Sequence, residues 1–236
     1  MKTPPFEPAI PFDAHTHSER RNALIDLDPV DLTARQATGA APYRALVEDK
    51  FLSRLRRACS PSSVAFTPAF RPGFLYSVGI HPWNYRRVTP AALRLLRALA
   101  AEPQVRAIGE CGLDPLVQVP RQQSCAATHP QLTRAEILRD QTRLLHFHFE
   151  LSERFGKPLL LHIVRAFPEI ISLRRQWRPS QPWIIHGFRG KPQLARELLA
   201  HGFHLSYGLK YNPESFALTP PGRRLRETDN AQWPLR

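Results

Sequence analysis

The sequence predicts an α/β fold in which βα units wind about a parallel sheet, at the size of one (β/α)8 barrel. Three observations predict it. The 236 residues nearly match the roughly 250 that such a barrel uses, 42% of them are hydrophobic, and short apolar runs recur along the chain, several followed by an amphipathic helix. One domain, 1–236, accounts for the whole length.

Eight runs read as strands: Ala9 to His15, Ala23 to Leu27, Phe74 to His81, Val105 to Cys111, Leu159 to Val164, Trp183 to His186, Phe203 to Tyr207, and a weaker Arg224 to Asp229. Helices between them carry their own punctuation. Thr89-Pro90 supplies an N-cap and a first-turn proline for a helix to about Ala101. Thr133 and Glu136 form a capping box, opening a helix with Leu138, Leu145 and Phe149 on one face that stops at Gly156-Lys157-Pro158. A shorter helix runs from Pro192 to about Ala200, ended by Gly202. Residues 30–72 break the rhythm. Tyr43, Val47, Phe51 and Leu55 repeat at i+4, but the flanking Ser and Pro clusters read as loop, so this stretch is an insertion. Pro115 to Pro130 is also loop. The chain ends at Arg236, shortly after the last strand, which predicts a barrel lacking its final helix and an exposed seam through which a second copy could associate.

Thirty-three basic against 20 acidic residues give a net charge of +13, which suits a polyanionic partner or a basic surface without function. Three cysteines, Cys59, Cys111 and Cys125, lack zinc or disulfide spacing and suit a reducing compartment. No apolar run reaches the length of a membrane span or a signal segment, so the expected location is cytoplasmic.

The chemistry sits at strand ends. His15 and His17, two apart, can point the same way from a strand. Glu110 ends an apolar run, where burial without a cation or metal would cost several kcal/mol. His162 and His186 each finish an apolar strand. Four histidines and a carboxylate at one end of a sheet predict a metal cluster, with a further ligand in Glu227-Thr228-Asp229. Nitrogen and oxygen ligands without sulfur suit zinc, manganese or magnesium, and six of them with a shared carboxylate suit two ions. His146 and His148, two apart on a helix, read as surface or packing residues, Cys111 as core, and Trp83 as packing at the barrel rim, with stacking on a base as its other reading.

The motifs His15-Thr16-His17, Ser77-Val78-Gly79-Ile80-His81-Pro82-Trp83, Ile108 to Asp114, Leu161-His162 through Arg165-Ala166, His186 to Gly190 and Glu227-Thr228-Asp229 resemble, in order, the TatD family of metal-dependent deoxyribonucleases. The resemblance implies a TIM-barrel hydrolase of the metallo-dependent hydrolase superfamily that cleaves phosphodiester bonds in DNA. It implies one ion held by His15, His17 and Asp229, a second by His162 and His186, and Glu110 bridging them. His81 and Arg165 match positions close to the substrate. A metal-activated water would then attack phosphorus in line, with Asp229 handling the proton. The departures are Arg226 in place of an apolar residue in the last strand, the short end, and residues 30–72. The superfamily architecture also supports amidohydrolase-type chemistry on a small substrate, and a degenerate, non-catalytic nucleic-acid-binding relative is a third reading.

Overall fold

The computed structural model describes residues 13–16, 23–32, 70, 73–116 and 132–229, with Asp13 and His15 described for their backbone. Eight strands close into a barrel in sequence order: β1 Asp13–Thr16, β2 Ala23–Leu27, β3 Leu75–Val78, β4 Val105–Leu113, β5 Leu159–Ile163, β6 Trp183–Ile185, β7 His204–Tyr207 and β8 Arg224–Arg226. Every neighbouring pair is parallel, and Asp13 pairs with Arg226 to join the ends. The expected barrel is therefore present. Strands buried on both faces are apolar along their whole length, which is why they stand out as runs in the sequence. Only residues 17–22 separate β1 from β2, far fewer than the dozen or so of an ordinary parallel crossover.

The helices are α1 Pro90–Ala100, α2 Arg134–Phe155, α3 Phe167–Trp177, α4 Pro192–Ala200 and the short α5 Pro213–Leu218, with a 3-10 turn at Pro82–Arg87. The capping box at Thr133 is formed in both directions, and Gly156 closes α2 in the left-handed region at φ 62°. The sequence reading assigned no helix to α3 or α5. In α3 only Ile170 and Ile171 are buried, too narrow a stripe to register as a period, although Pro168 in its first turn is a start signal.

Three strand ends differ from expectation by two residues or more. The β3 strand stops at Val78, three residues before His81. The β4 strand runs two residues further, to Leu113, because Gly112 and Leu113 pair with His162 and Ile163. The β8 strand stops at Arg226, and Asp229 returns only as an isolated bridge to Thr16. The arginines of β8 do not unseat it. Leu225 points into the barrel, while the guanidinium groups of Arg224 and Arg226 lie 4.3 and 5.0 Å from the centre of the Phe216 ring. The insertion helix over Tyr43 to Leu55, the loop after Leu116, Cys59, Cys125 and the segment after Asp229 lie outside the described residues.

A small cluster of Ala14, Leu160, Ile184 and Leu225 fills the barrel interior, and a larger one packs the helices on its outside. Side chains alternate along a strand. Hence His162, His186 and Glu227, each two positions beyond Leu160, Ile184 and Leu225, face the barrel axis at its C-terminal end.

His148, on α2, is a packing residue with a defined job. Its Nδ1–H donates to the Leu144 carbonyl at 2.8 Å, and its Nε2 accepts the Ile80 N–H at 2.8 Å, holding the chain as it leaves β3. Burial pushes its pKa down from 6.5 to about 4. Between those two values the unfolded chain binds a proton that the folded one refuses, so this histidine lowers stability as pH falls, by about 3 kcal/mol in all. His148→Phe is expected to be the less stable protein at pH 7, by about 1–3 kcal/mol for the stranded Ile80 N–H, with a gap that narrows toward pH 4. Urea unfolding at several pH values checks it, and a gap independent of pH would contradict it.

Candidate metal centre

The site begins with the way each strand delivers its last residue. At the end of β2, Asp28 accepts the Val30 N–H at 2.8 Å through Oδ1, and the His81 N–H at 2.9 Å and Asn84 Nδ2 at 2.8 Å through Oδ2. It thereby fixes the turn that carries His81. Burial pushes the Asp28 carboxyl up to about 7 against those hydrogen bonds, with Asp31 adding to the rise. His81 in turn accepts the Trp83 N–H on Nδ1 at 3.1 Å. In a neutral ring this places the proton on Nε2, which lies 3.3 Å from Glu110 Oε1.

Glu110 is 3% exposed and is the hub. Its N–H donates to Asp26 Oδ1 at 2.8 Å, and the same oxygen accepts the Ser77 hydroxyl at 3.1 Å. Its Oε1 stands 2.7 Å from both His162 Nδ1 and His186 Nε2. The two ring nitrogens are 3.2 Å apart.

Each imidazole has its far nitrogen against a second carboxylate. His162 Nε2 lies 3.4 Å from Asp114 Oδ2, which also accepts Trp83 Nε1–H at 2.6 Å. Gln141 of α2 clamps the Asp114 backbone from both sides, at 2.9 Å to its N–H and 2.9 Å to its carbonyl. His186 Nδ1 lies 3.4 Å from Glu227 Oε1, while Glu227 is held by the Ser206 hydroxyl at 2.5 Å and the Gly187 N–H at 2.7 Å. Burial opposes charge on both histidines, yet their carboxylates prevail. Asp114 and Glu110 raise the pKa of His162, and Glu110 and Glu227 raise that of His186 well above its ordinary value. Burial likewise opposes ionisation of Asp114, and its bonds to His162 and Trp83 still hold it below the usual carboxylate range.

These residues fit a divalent cation. Two ring nitrogens 3.2 Å apart face one carboxylate oxygen and form a compact donor set of two nitrogens and one oxygen. The spacing is close to the ligand separation of about 3.3 Å around a tetrahedral ion bonded to nitrogen at 2.0–2.1 Å. A carboxylate behind each metal-facing histidine is the arrangement that sets ring orientation and basicity at metal centres. His81, Glu110 and His162 also have ligand atoms within 4.8 Å of one another. The Nδ1 acceptor bond nevertheless makes His81 Nε2 a donor here.

Of the residues expected from the sequence, Glu110, His162 and His186 converge. His81 and Asp229 line the same cavity of about 380 Å³. Asp229, at φ 49°, accepts the Thr16 hydroxyl on its backbone carbonyl at 3.4 Å. Arg165 is exposed at the end of β5, and it is not among the residues lining that cavity. His17 and the side chain of His15 lie outside the described residues. Sequence reasoning assigned no role to Asp26, Asp28 or Asp114, and offered Glu227 only within the ligand segment Glu227-Thr228-Asp229, although an acidic residue within or just after an apolar run was the signal that picked out Glu110. The reading of Trp83 as a packing residue is corrected: its side chain is 58% exposed, because the Asp114 carboxylate holds the indole at the cavity rim by its N–H. Cys111 is core as expected, buried in β4 with its thiol pushed well above its ordinary pKa by burial and by Glu110.

Comparison with known proteins agrees with this geometry. The family model for TatD related DNase matches residues 12–234. A protein named uncharacterized metal-dependent hydrolase TatD, from Mycobacterium tuberculosis, is 28% identical over 227 residues, covering 92% of this chain and 78% of the relative. A protein named 3'-5' ssDNA/RNA exonuclease TatD, from Cronobacter turicensis, is 32% identical over 187 residues, covering 78% of this chain and 62% of the relative. The chain thus spans less than two thirds of the Cronobacter protein. Among solved structures, the TatD homologue YjjV of Escherichia coli superposes with a TM-score of 0.55 at 17% identity, covering 87% of this chain and 66% of that one. A TatD family hydrolase from Entamoeba histolytica gives 0.55 at 14% identity, covering 92% and 72%. These two establish likeness of fold. The chain belongs to the TatD-related DNase family and is an enzyme of the hydrolase type.

Proposed function

We propose that the protein is a divalent-metal-dependent phosphodiesterase acting on DNA. The observation that carries this reading is the meeting of His162, His186 and Glu110 at 2.7 Å, with Asp114 and Glu227 behind the two histidines. In this reading His162, His186 and Glu110 hold one ion, and His15, His17 and Asp229, with Glu110 shared, hold a second. Zinc, manganese and magnesium all suit this donor set. A bound divalent ion supplies Lewis-acid charge for a phosphoryl oxygen and lowers the pKa of water.

The chain's own residues do the rest. In this reading Asp114 and Glu227 accept the N–H of the far nitrogens of His162 and His186, which leaves the metal-facing nitrogens to offer their lone pairs to a bound ion. His81, its Nδ1 engaged by the Trp83 N–H, presents Nε2–H as a donor to a non-bridging phosphate oxygen. In this reading Asp229, which lines the cavity, takes a proton from the attacking water. Arg165 offers a guanidinium to the phosphate chain beyond the cavity. The net charge of +13 and relatives named as ssDNA/RNA exonucleases support a nucleic-acid substrate. Among the described residues no helix is long and apolar enough to cross a membrane.

The test is incubation of the purified protein with single- and double-stranded oligonucleotides and Mg²⁺, Mn²⁺ or Zn²⁺. Cleavage that stops on chelation and returns with metal is the expected result. Intact DNA at saturating concentrations of all three would sink the reading. Hydrolysis of amides or lactones alone would transfer the protein to amidohydrolase chemistry, and salt-sensitive DNA retention alone to a binding role.

A further inference from the structure

Trp83 is the largest exposed apolar side chain among the described residues, at 58%. It is also held in place. Its Nε1–H donates to Asp114 Oδ2 at 2.6 Å, its backbone N–H to His81 Nδ1 at 3.1 Å, and Asp114 itself is 4% exposed. The indole lies 4.8 Å from the His81 ring and 6.1 Å from His162, at interplanar angles of 77° and 72°, so neither imidazole is stacked flat upon it. An aromatic plate therefore stands at the rim of the cavity, beside the two histidines, with its orientation set in advance by a buried carboxylate. A residue that only filled space at the rim would gain from turning its ring inward. This one is kept outward by the carboxylate that also faces His162.

We propose that Trp83 is a stacking platform for an unpaired nucleobase whose phosphate is engaged at the His81–His162 site. The inference rests on the phosphodiesterase reading above and assigns a base-binding residue to that site, and the single-strand preference that follows is the one carried in the names of the relatives. A base can lie on the indole only when it has left its own stack and pair, so single strands and frayed ends bind ahead of intact duplex. Stacking is indifferent to which base is present, because every base has a π face. Preorganisation strengthens the contact, since the indole loses little freedom when the base arrives.

The test is equilibrium binding of the whole, metal-loaded protein to dye-labelled strands with cleavage-resistant linkages, read by anisotropy, with tryptophan fluorescence recorded alongside. The probes are a short oligothymidylate and an oligonucleotide of equal length whose residues are abasic, with cleavage of the unmodified strands assayed in parallel. The wild type is expected to bind the base-bearing strand about 5- to 150-fold more tightly than the abasic one and to be quenched by it. Trp83→Ala should bring that ratio near one. Trp83→Phe, which keeps a ring and loses the N–H, should retain most of it. An equal ratio in wild type and Trp83→Ala, or failure of the wild type to bind either strand, overturns the proposal. So does loss of the ratio in Trp83→Phe as complete as in Trp83→Ala, since Trp83 would then act by positioning Asp114 and His162. Base-dependent binding without cleavage would leave stacking intact and remove the phosphodiesterase reading. Cleavage without base preference would do the reverse.

Discussion

Glu110→Gln is expected to lose bound divalent metal and hydrolysis together, with kcat/KM falling at least about a thousand-fold, or roughly 4 kcal/mol of barrier. The change is nearly isosteric, and the backbone bond from residue 110 to Asp26 does not involve the side chain, so the barrel should still close. What changes is the chemistry at one point. In the wild type an anionic oxygen meets His162 Nδ1 and His186 Nε2 at 2.7 Å each. An amide either turns its NH2 toward those nitrogens or presents a neutral oxygen, and both weaken the hold on a cation. Elemental analysis of the purified variant, with unfolding temperatures measured with and without added metal, separates this from misfolding. The wild type should be stabilised by metal and the variant should not. A variant that retains both metal and activity would remove Glu110 from the centre of the site.

Gly112→Ala is expected to be the most damaging single methyl in the described barrel. Gly112 sits in β4 opposite His162 of β5, at φ 149°, a backbone conformation that side-chain-bearing residues rarely adopt. A Cβ there would collide with the backbone carbonyl of His162, which has no flexible end to move aside. Strand separation or a shifted register follows, and the cost is expected to reach about 4 kcal/mol or more, the range reserved for backbone and core failures. Because the obstructed residue is itself a proposed ligand, any folded fraction should also bind metal poorly. Gly156→Ala is the matched control. Its glycine is left-handed at the end of α2 with open space around the position of a Cβ, so it should lose only about 1–2 kcal/mol. Urea unfolding of the two variants reads the difference, and equal losses would show that the contact with β5 is easily relieved.

Much of the fold was legible because its signals are local. The β6 strand and the first three residues of β5 are buried on both faces and appear as unbroken apolar runs, β4 and β7 are mostly buried, and Thr133 with Glu136 announces α2 within four residues. The candidate ligands were legible for a related reason. A histidine or glutamate that ends an apolar run has no water to serve it, so Glu110, His162 and His186 each posed a question the sequence alone could frame. The α3 helix was missed because its buried stripe is two residues wide. Trp83 was open between packing and base stacking, and the sequence favoured packing, because aromatic character at a barrel rim does not say which way the ring faces.

The sequence by itself determined the order of the elements, the family to which the chain belongs, and the acidic and imidazole groups available for the site, since burial period, caps and residue type act over a few positions. Only the tertiary structure decided how those groups pair. His162 meets Asp114 and Glu110, His186 meets Glu227, and Asp28 grips the turn of His81, each across about 40 or more residues of chain. Such pairings depend on the register in which eight parallel strands close, and register is a property of the whole barrel rather than of any segment within it.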